Sequence, residues 1–303
     1  KTDGTPSSRL GYPMHFSPDG KTLFFTDNDL GDPNLVMMDM DSGDVTILSE
    51  IFTDLWFDLN PAGDTLVFVK KIGHGTAIYS LPLDSGAAAI RLSYETDPRN
   101  PIFSVDGSLV VYTAGDRFGS KNLYTIRPDG SGYKKVTTFN DPADAVVPVG
   151  ITSPEPSILY VMPSQTTKNQ LEIWSITIDG SSDQFLAVCI LEADDRPRIA
   201  PNGEKVLYQR DHNLWIMNID GSGQERLTDL PSGHLAYHGQ WSPSGSHIVY
   251  IHRMGEWGAE SFIEWVRPNG QDFARLSERH NILLSGNEIK PNNNFRFWPV
   301  FQP

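Results

Sequence analysis

Short runs of apolar residues, rich in β-branched and aromatic side chains, recur along the whole chain. Such runs favour strands, because branched and aromatic side chains fit a pleated, half-buried surface. No stretch keeps the 3.6-residue apolar period of an amphipathic helix, and 22 prolines and 26 glycines are spread through the sequence. The pattern therefore predicts an all-β protein, whose clearest strands are KTLFFT, DTLVFV, SLVVYT, SILYVM, EKVLYQ and SHIVYI.

A turn signature stands directly before each of these six strands. Proline presets φ and glycine accepts positive φ, so their combination suits a tight turn. The last positions of the six signatures, 20, 63, 107, 156, 203 and 245, lie 43, 44, 49, 47 and 42 residues apart, which indicates an internal repeat. The six copies are FSPDG (16–20), LNPAG (59–63), FSVDG (103–107), TSPEP (152–156), IAPNG (199–203) and WSPSG (241–245).

Each repeat contains four predicted strands. One leads into the turn, one follows it, a third ends near a further glycine, and a shorter fourth closes the unit. Four antiparallel strands in about 40 to 50 residues are typical of a β-propeller blade, since radial repetition protects the edges of the sheets. We predict a single β-propeller domain over 1–303 with six complete repeats, at about 11–50, 54–95, 97–138, 144–188, 194–229 and 234–278.

The two end fragments leave the number of blades open. The opening KTDGTPSSRLG resembles a last strand of a blade, and the closing PVFQP parallels PIFSV at 101–105, the start of the third repeat. Fragments 1–10 and 292–303 would then form a seventh blade together. Alternatively, the protein is a six-bladed ring with two decorated ends, or another chain completes the unfinished blade, which would make it a homo-oligomer.

Charge and composition limit the partners. The chain carries 24 basic and 38 acidic residues, a net charge of −14, which repels phosphate backbones and anionic lipid surfaces. We therefore expect no nucleic-acid partner, and since the longest apolar runs are far too short to cross a bilayer, no membrane insertion. The single cysteine, Cys189, allows no internal disulfide and lies in an apolar strand, which favours an inert place in the core.

The order of these features resembles a known family. The sequence SPDG, then a strand, then a strand ending in DG, then RLT, is similar to the TolB-type propeller repeat, which is related to WD-type repeats. The resemblance covers nearly all of the chain. It implies an extracytoplasmic protein, periplasmic or secreted. Since the sequence also shows no complete catalytic set, we expect it to bind a protein, peptide or glycan partner without catalysis.

The first strand of each propeller blade lines the central channel, so ligand-binding residues are expected just before each turn. Guanidinium groups match carboxylates bidentately and aromatic faces stack on sugar rings, so such a set would suit an acidic glycan or a carboxylate-bearing peptide. In the alternative interpretation, the arginines pair with Asp54, Asp97 and Asp195 and tie the blades together. The candidates are Tyr12, Trp56, Arg99, Arg196, Gln240, Arg296 and Trp298.

Histidines are concentrated in the sixth repeat. Because side chains alternate along a strand, His238 and Gln240 are expected on one face, and with His234 they form a candidate metal site. The alternative is that these are polar histidines at the rim of a blade. The acidic segment 26–34 raises the option of calcium, but it departs from an EF-hand loop at its glycine and lacks the distal glutamate. We therefore expect no cofactor, with calcium or manganese as the alternatives.

A second, local resemblance points to an enzyme. Residues 241–258 are similar to a segment of oligogalacturonate lyases, which are propellers with a manganese site of histidines and a glutamine, and His252, Gly255 and Trp257 could correspond to that segment. Arg296 and Trp298 stand where that family places further histidine ligands, which removes most of such a metal site. A lyase without metal would use His238 or His252 as the base and Arg196 or Arg296 as the carboxylate clamp.

Three hypotheses follow from the sequence. The first is a noncatalytic extracytoplasmic propeller that binds a protein, peptide or glycan at its channel mouth. The second is a lyase acting on uronic-acid-containing oligosaccharides. The third is a self-assembling structural subunit whose open blade edges pair between chains.

Overall fold

The fold is an all-β, six-bladed propeller, as the repeats predict, and each blade is a four-stranded antiparallel sheet with its strands in sequence order. Among the described residues no helix occurs, and none of that part of the chain could cross a membrane as an apolar helix. The computed structural model describes residues 10–27, 34–49, 56–83, 86–115, 119–140, 145–152, 156–164, 166–167, 170–189, 196–255 and 260–276.

The first three blades follow the predicted repeats closely. Blade one contains β1 (Leu10–Phe16), β2 (Thr22–Asp27), β3 (Asn34–Asp39) and β4 (Val45–Ser49). Blade two contains β5 (Phe57–Leu59), β6 (Thr65–Ile72), β7 (Gly75–Pro82) and β8 (Ile90–Arg91). Blade three contains β9 (Thr96–Phe103), β10 (Val110–Gly115), β11 (Lys121–Ile126) and β12 (Lys134–Lys135).

The last three blades repeat this order. Blade four contains β13 (Val147–Ile151), β14 (Ser157–Pro163), β15 (Leu171–Thr177) and β16 (Asp183–Cys189). Blade five contains β17 (Arg198–Ile199), β18 (Lys205–Arg210), β19 (Asn213–Asn218) and β20 (Glu225–Arg226). Blade six contains β21 (His234–Trp241), β22 (Ile248–Met254), β23 (Ser261–Val266) and β24 (Phe273–Arg275).

The turn signature forms the tight turn that its residues predict. In blade one the backbone N–H of Gly20 donates to the carbonyl of Ser17 at 2.9 Å, and Gly20 has a φ of 70°. The Ser17 hydroxyl donates to Asp19 at 2.6 Å and accepts from the backbone N–H of Thr22 at 2.9 Å. Serine and aspartate thus satisfy backbone groups that the turn leaves open, and Ser104 and Asp106 make the same arrangement in blade three.

The chain divides into two compact units. The first comprises the described residues up to 163 together with 174–184, so it holds blades one to three and part of blade four. The second comprises the described residues of 164–173 and those from 185 onwards, with blades five and six. Whether the whole of 1–303 acts as one domain stays a prediction.

Each unit has its own apolar core. In the first unit, blades two and three bury Val67, Ile78, Phe103, Val110 and Tyr112 against one another. In the second, Leu207 and Ile216 of blade five pack with Ala236, Ile248 and Val266 of blade six. Burying one such aliphatic or aromatic side chain contributes about 1.5–3 kcal/mol, so packing of successive sheets, rather than any cross-link, holds the blades together.

The described residues contain six blades and no seventh. One correction concerns the opening fragment: Leu10 and Gly11 pair with Asp27 and Thr26, so they begin β1, the first strand of blade one, and do not close an earlier blade. Residues 1–9 and 292–303 lie outside the described residues, so the seventh-blade and homo-oligomer hypotheses stay predictions. Most of the acidic segment considered for calcium, 28–33, lies outside them too.

Candidate functional site

The first strand of several blades is interrupted at one recurrent place. Register shifts occur in β1, β9, β13 and β21 as each pairs with the second strand of its blade. Two of these strands contain non-glycine residues with positive φ: β9 has Asp97 at 49° and Asn100 at 54°, and β21 has His238 at 54°. Asn100 and His238 occupy equivalent positions. Each lies four positions before the turn serine, Ser104 or Ser242. A β-bulge re-aims the side chain that it carries, and bulges are frequent beside functional sites.

The bulge corrects one expectation in detail. Strict alternation would place His238 and Gln240 on one face of β21, but the register shifts between Tyr237 and Gln240, so regular alternation does not run through this stretch. His238 is buried, with 2% of its surface exposed, whereas Gln240 is half-buried.

In the second unit, the charge of Arg198 acts on both Arg196 and His238. Arg196 precedes β17, Arg198 begins it, and His238 lies in β21. The indole N–H of Trp241 donates to the backbone carbonyl of Arg198 at 3.2 Å, which fixes the first strands of blades five and six beside each other. Two of the predicted ligand-binding or catalytic residues, Arg196 and His238, therefore lie near the same neighbour, Arg198, which the sequence did not single out.

Burial and the charge of Arg198 set the protonation of this cluster. Burial, and after it Arg198, lowers the pKa of His238 to about 4, so its imidazole is neutral at neutral pH. The same two causes lower the pKa of Arg196 to about 9. In a protein of net charge −14, the charge of Arg198 thus disfavours the charged forms of both Arg196 and His238.

In the first unit, Arg99 pairs with Asp97, as the alternative interpretation proposed, but both residues lie on β9, so this pair does not tie two blades together. Its guanidinium bonds the Asp97 carboxylate at 2.9 Å, and Lys121 bonds the other oxygen of Asp97 at 2.6 Å. Burial alone would raise the pKa of Asp97, but the hydrogen bonds from Arg99 and Lys121 lower it. Asp54 and Asp195, the other predicted partners, lie outside the described residues.

The remaining predicted ligand residues are only partly placed. Trp56 is half-buried and packs against the core of blades two and three. The backbone of Tyr12 lies within β1, and only the backbone is described at this position. Arg296, Trp298 and Trp257 lie outside the described residues. That these residues line one mouth with Arg99 and Arg196 stays a prediction.

Asp58, in β5, is a functional candidate that the sequence reasoning missed. One carboxylate oxygen accepts from the backbone N–H of Phe103 at 2.8 Å and the other from that of Leu59 at 3.0 Å, which links blades two and three. The Nδ1 of His15, from blade one, lies 3.8 Å away. Burial raises the pKa of Asp58 to about 7, against the lowering effect of its two hydrogen bonds. Nothing in the motif LNPAG or its flanks reveals this burial.

A second group of interacting side chains lies within blade six. The Nδ1 of His234 and the Nε2 of His252 are 2.9 Å apart, and the Nδ1 of His252 lies 3.0 Å from Glu264. Tyr250 donates to the same Glu264 oxygen at 3.0 Å, and Arg275 donates twice to the other, at 3.1 and 3.0 Å. Both His252 and Glu264 are 7% exposed.

This arrangement changes the interpretation of the histidines. His234 was a candidate metal ligand and His252 a candidate base, and the structure joins them through a hydrogen bond. Over the described stretches, no three or more His, Cys, Asp or Glu side chains are grouped so as to hold a metal ion. Glu264 and Arg275 were not foreseen. Their signal was the strand register, since Tyr250 pairs with Glu264 and Glu264 with Arg275.

Comparison with known proteins places this architecture in context. A family model described as the TolB β-propeller domain matches residues 15–230. An uncharacterised protein of Agrobacterium fabrum is 27% identical over 262 residues, which is 78% of this chain and 83% of the relative.

Solved structures share the fold. An oligogalacturonate lyase in complex with manganese matches with a TM-score of 0.61 and 14% identity, over 84% of this chain and 76% of its own. A putative TolB from Agrobacterium tumefaciens matches with a TM-score of 0.53 and 18% identity, over 77% of this chain and 84% of its own. At these identities the two structures show a common fold and carry no statement about ligand or activity.

Proposed function

The chain belongs to the family of TolB β-propeller domains, and we propose that it is a noncatalytic binding protein that takes a carboxylate group of its partner on the first strands of blades five and six. The partner is a protein segment, a peptide or an acidic glycan, and the protein works outside the cytoplasm, in the periplasm or after secretion. Propeller first strands are rigid elements, which suits a site that must hold its geometry before the partner arrives.

The observation that carries this proposal is the cluster of Arg196, Arg198 and His238. Guanidinium forks bind carboxylates through two parallel hydrogen bonds, which are stronger than neutral ones. The charge of Arg198 disfavours the charged form of Arg196, and a bound carboxylate would favour it. The neutral imidazole of His238 adds a hydrogen-bonding group without adding charge.

Calorimetric titration tests the proposal with two probes that share the carboxylate. One probe is a short polyglutamate peptide and the other an oligogalacturonate, so the result also distinguishes a peptide from a glycan partner. Binding to wild type is compared with binding to the double variant Arg196→Ala/Arg198→Ala. We expect the double variant to weaken binding by roughly tenfold or more, which is about 1.4 kcal/mol.

The matched control is Arg267→Ala, which removes an exposed arginine of blade six that pairs with Asp272 at 3.1 Å. It should leave the affinity unchanged. Equal affinity of wild type and the double variant for both probes, or equal losses in the double variant and the control, would contradict the proposal. Added calcium or manganese should not change the affinity, since no cofactor is proposed.

A lyase is the second candidate, and the same cluster of Arg196, Arg198 and His238 favours it. Removal of the α-proton of a uronic acid needs a neutral base and a cation that neutralises the carboxylate, and His238 beside Arg198 offers this combination. Incubation with oligogalacturonate separates the two candidates, because a lyase forms an unsaturated product that absorbs in the ultraviolet. Binding without a rise in absorbance supports the binding protein, and a rise that Arg196→Ala/Arg198→Ala abolishes supports the lyase.

A further inference from the structure

Blade six contains a chain of hydrogen bonds that the proposed binding site does not use. It runs from the buried carboxylate of Glu264 through the buried ring of His252 to the half-buried ring of His234. The three residues come from three different strands, β23, β22 and β21. Adjacent strands of one sheet hold the three residues, so this series of hydrogen bonds is part of the rigid body of the blade.

The carboxylate of Glu264 determines which nitrogen donates in each of these hydrogen bonds. Hydrogen bonds from His252, Tyr250 and Arg275 outweigh the effect of burial and lower the pKa of Glu264, so Glu264 is ionised and can only accept. His252 must therefore donate through Nδ1, which leaves a lone pair on its Nε2 when the ring is neutral. The Nδ1 of His234 then donates to that lone pair, and the Nε2 of His234 carries the lone pair at the far end.

Two further contacts hold the carboxylate in place. Arg275 donates two hydrogen bonds to one oxygen of Glu264, and its guanidinium lies 3.6 Å from the centre of the Phe262 ring. Tyr250 donates to the other oxygen, the same one that meets His252. A carboxylate that orients a histidine, which in turn contacts a reactive group, is the arrangement by which proteins activate a nucleophile or base.

We propose that Glu264, His252 and His234 form a proton relay that makes the Nε2 of His234 a proton-accepting site for a ligand bearing an acidic O–H or N–H group. When His234 accepts that proton at Nε2, its Nδ1 proton passes to the Nε2 of His252, and Glu264 balances the positive charge that His252 gains. The ligand loses one proton and the relay gains one. This site goes beyond the carboxylate-binding function and involves none of its residues.

Tautomer assignment by NMR tests the relay without any ligand. With ¹⁵N-labelled histidine, the ring nitrogen shifts are followed to alkaline pH until they stop changing, and the tautomer of each ring is read there. We expect both His234 and His252 to carry the proton on Nδ1. A proton on Nε2 of His234 in wild type would overturn the proposal.

The variant Glu264→Gln makes the test specific. Its amide can donate to the Nδ1 of His252, which moves the proton of His252 to Nε2 and, through the shared hydrogen bond, the proton of His234 to Nε2 as well. Tyr250→Phe is the matched control, because it removes one hydrogen bond to Glu264 and leaves both imidazole contacts intact. It should preserve both tautomers. An unchanged tautomer of His234 in folded Glu264→Gln would contradict the relay.

Acylation by diethyl pyrocarbonate gives an independent readout. The Nε2 of His234 attacks one carbonyl carbon, the bond to the leaving ethyl carbonate breaks, and the Nδ1 proton of His234 moves to His252. Mass spectrometry gives the rate at His234 relative to that at exposed His74, which is an internal reference. We expect Glu264→Gln to lower this ratio by roughly tenfold and Tyr250→Phe to leave it unchanged. A ratio that Glu264→Gln does not change would overturn the proposal.

Discussion

The buried carboxylate of Asp58 should make the stability of the protein fall as the pH rises towards neutrality. Its side chain is 19% exposed, and burial raises its pKa from 3.8 to about 7. Between these two values the folded protein binds a proton that the unfolded chain has already lost. The stabilising contribution is therefore complete below pH 3.8 and disappears as the pH rises through 7.

The size of this effect follows from the two pKa values. Linkage gives a contribution of about 2.7 kcal/mol at pH 5 and about 0.1 kcal/mol at pH 8, a loss of about 2.6 kcal/mol over that interval. Asp58→Asn removes the titration but keeps the shape of the side chain and an oxygen that can accept from Phe103. The variant should therefore lose less stability than wild type between pH 5 and pH 8, by roughly 2–3 kcal/mol.

Urea denaturation at several pH values measures the difference in the free energy of unfolding between variant and wild type. Asp106→Asn is the control. Hydrogen bonds from Ser104 and Ser108 lower the pKa of Asp106, so this carboxylate is ionised in the folded and the unfolded protein from pH 5 to pH 8. The difference in the free energy of unfolding between Asp106→Asn and wild type should therefore not change with pH. The other titrating groups are the same in wild type and in both variants, so their contributions cancel in the difference in the free energy of unfolding. A difference for Asp58→Asn that is equally flat would refute the reasoning.

Three further predictions follow from the packing of the blades. Gly180→Ala should lower the free energy of unfolding by roughly 2–4 kcal/mol, because φ is 75° and the new Cβ would lie 2.5 Å from the Val136 carbonyl oxygen. Gly43→Ala, at the same φ but in open space, should lower it by about 1 kcal/mol, and equal losses of stability in chemical denaturation would contradict this. Glu264→Ala should cost about 3–5 kcal/mol, because it leaves the buried His252 ring and the Tyr250 hydroxyl without their acceptor. Arg275→Ala keeps both of those hydrogen bonds and removes a side chain that is 44% exposed, so it should cost only about 1 kcal/mol. The reverse order in thermal or urea unfolding would contradict this. Cys189, 1% exposed, should react with a thiol reagent only after unfolding, so rapid labelling in native buffer would show that it is not in the core.

The fold could be predicted because the information that defines it is local. Turn signatures such as Ser17-Pro-Asp-Gly20 specify a tight turn through their own side chains, and the runs that follow them have strand composition. Repetition then supplies the architecture, since six copies in one register leave few alternatives. The alternative interpretation of Arg99, a pair with Asp97, rested on equally local information, because the two residues lie two positions apart on one strand.

The candidate site was predicted less well because it depends on departures from regular structure. Alternation along β21 was assumed, and the bulge at His238 breaks it. Arg198 could not be recognised as the neighbour of His238, since that requires the position of one blade beside the next. Glu264 lies twelve residues from His252, and only the register of β22 and β23 brings them together.

A crystal structure of the protein soaked with oligogalacturonate or with an acidic peptide tests the central claim most directly. The account predicts a carboxylate of the ligand within hydrogen-bonding distance of the guanidinium groups of Arg196 or Arg198, beside the neutral ring of His238. Ligand bound elsewhere on the propeller, with no carboxylate at these arginines, would contradict it.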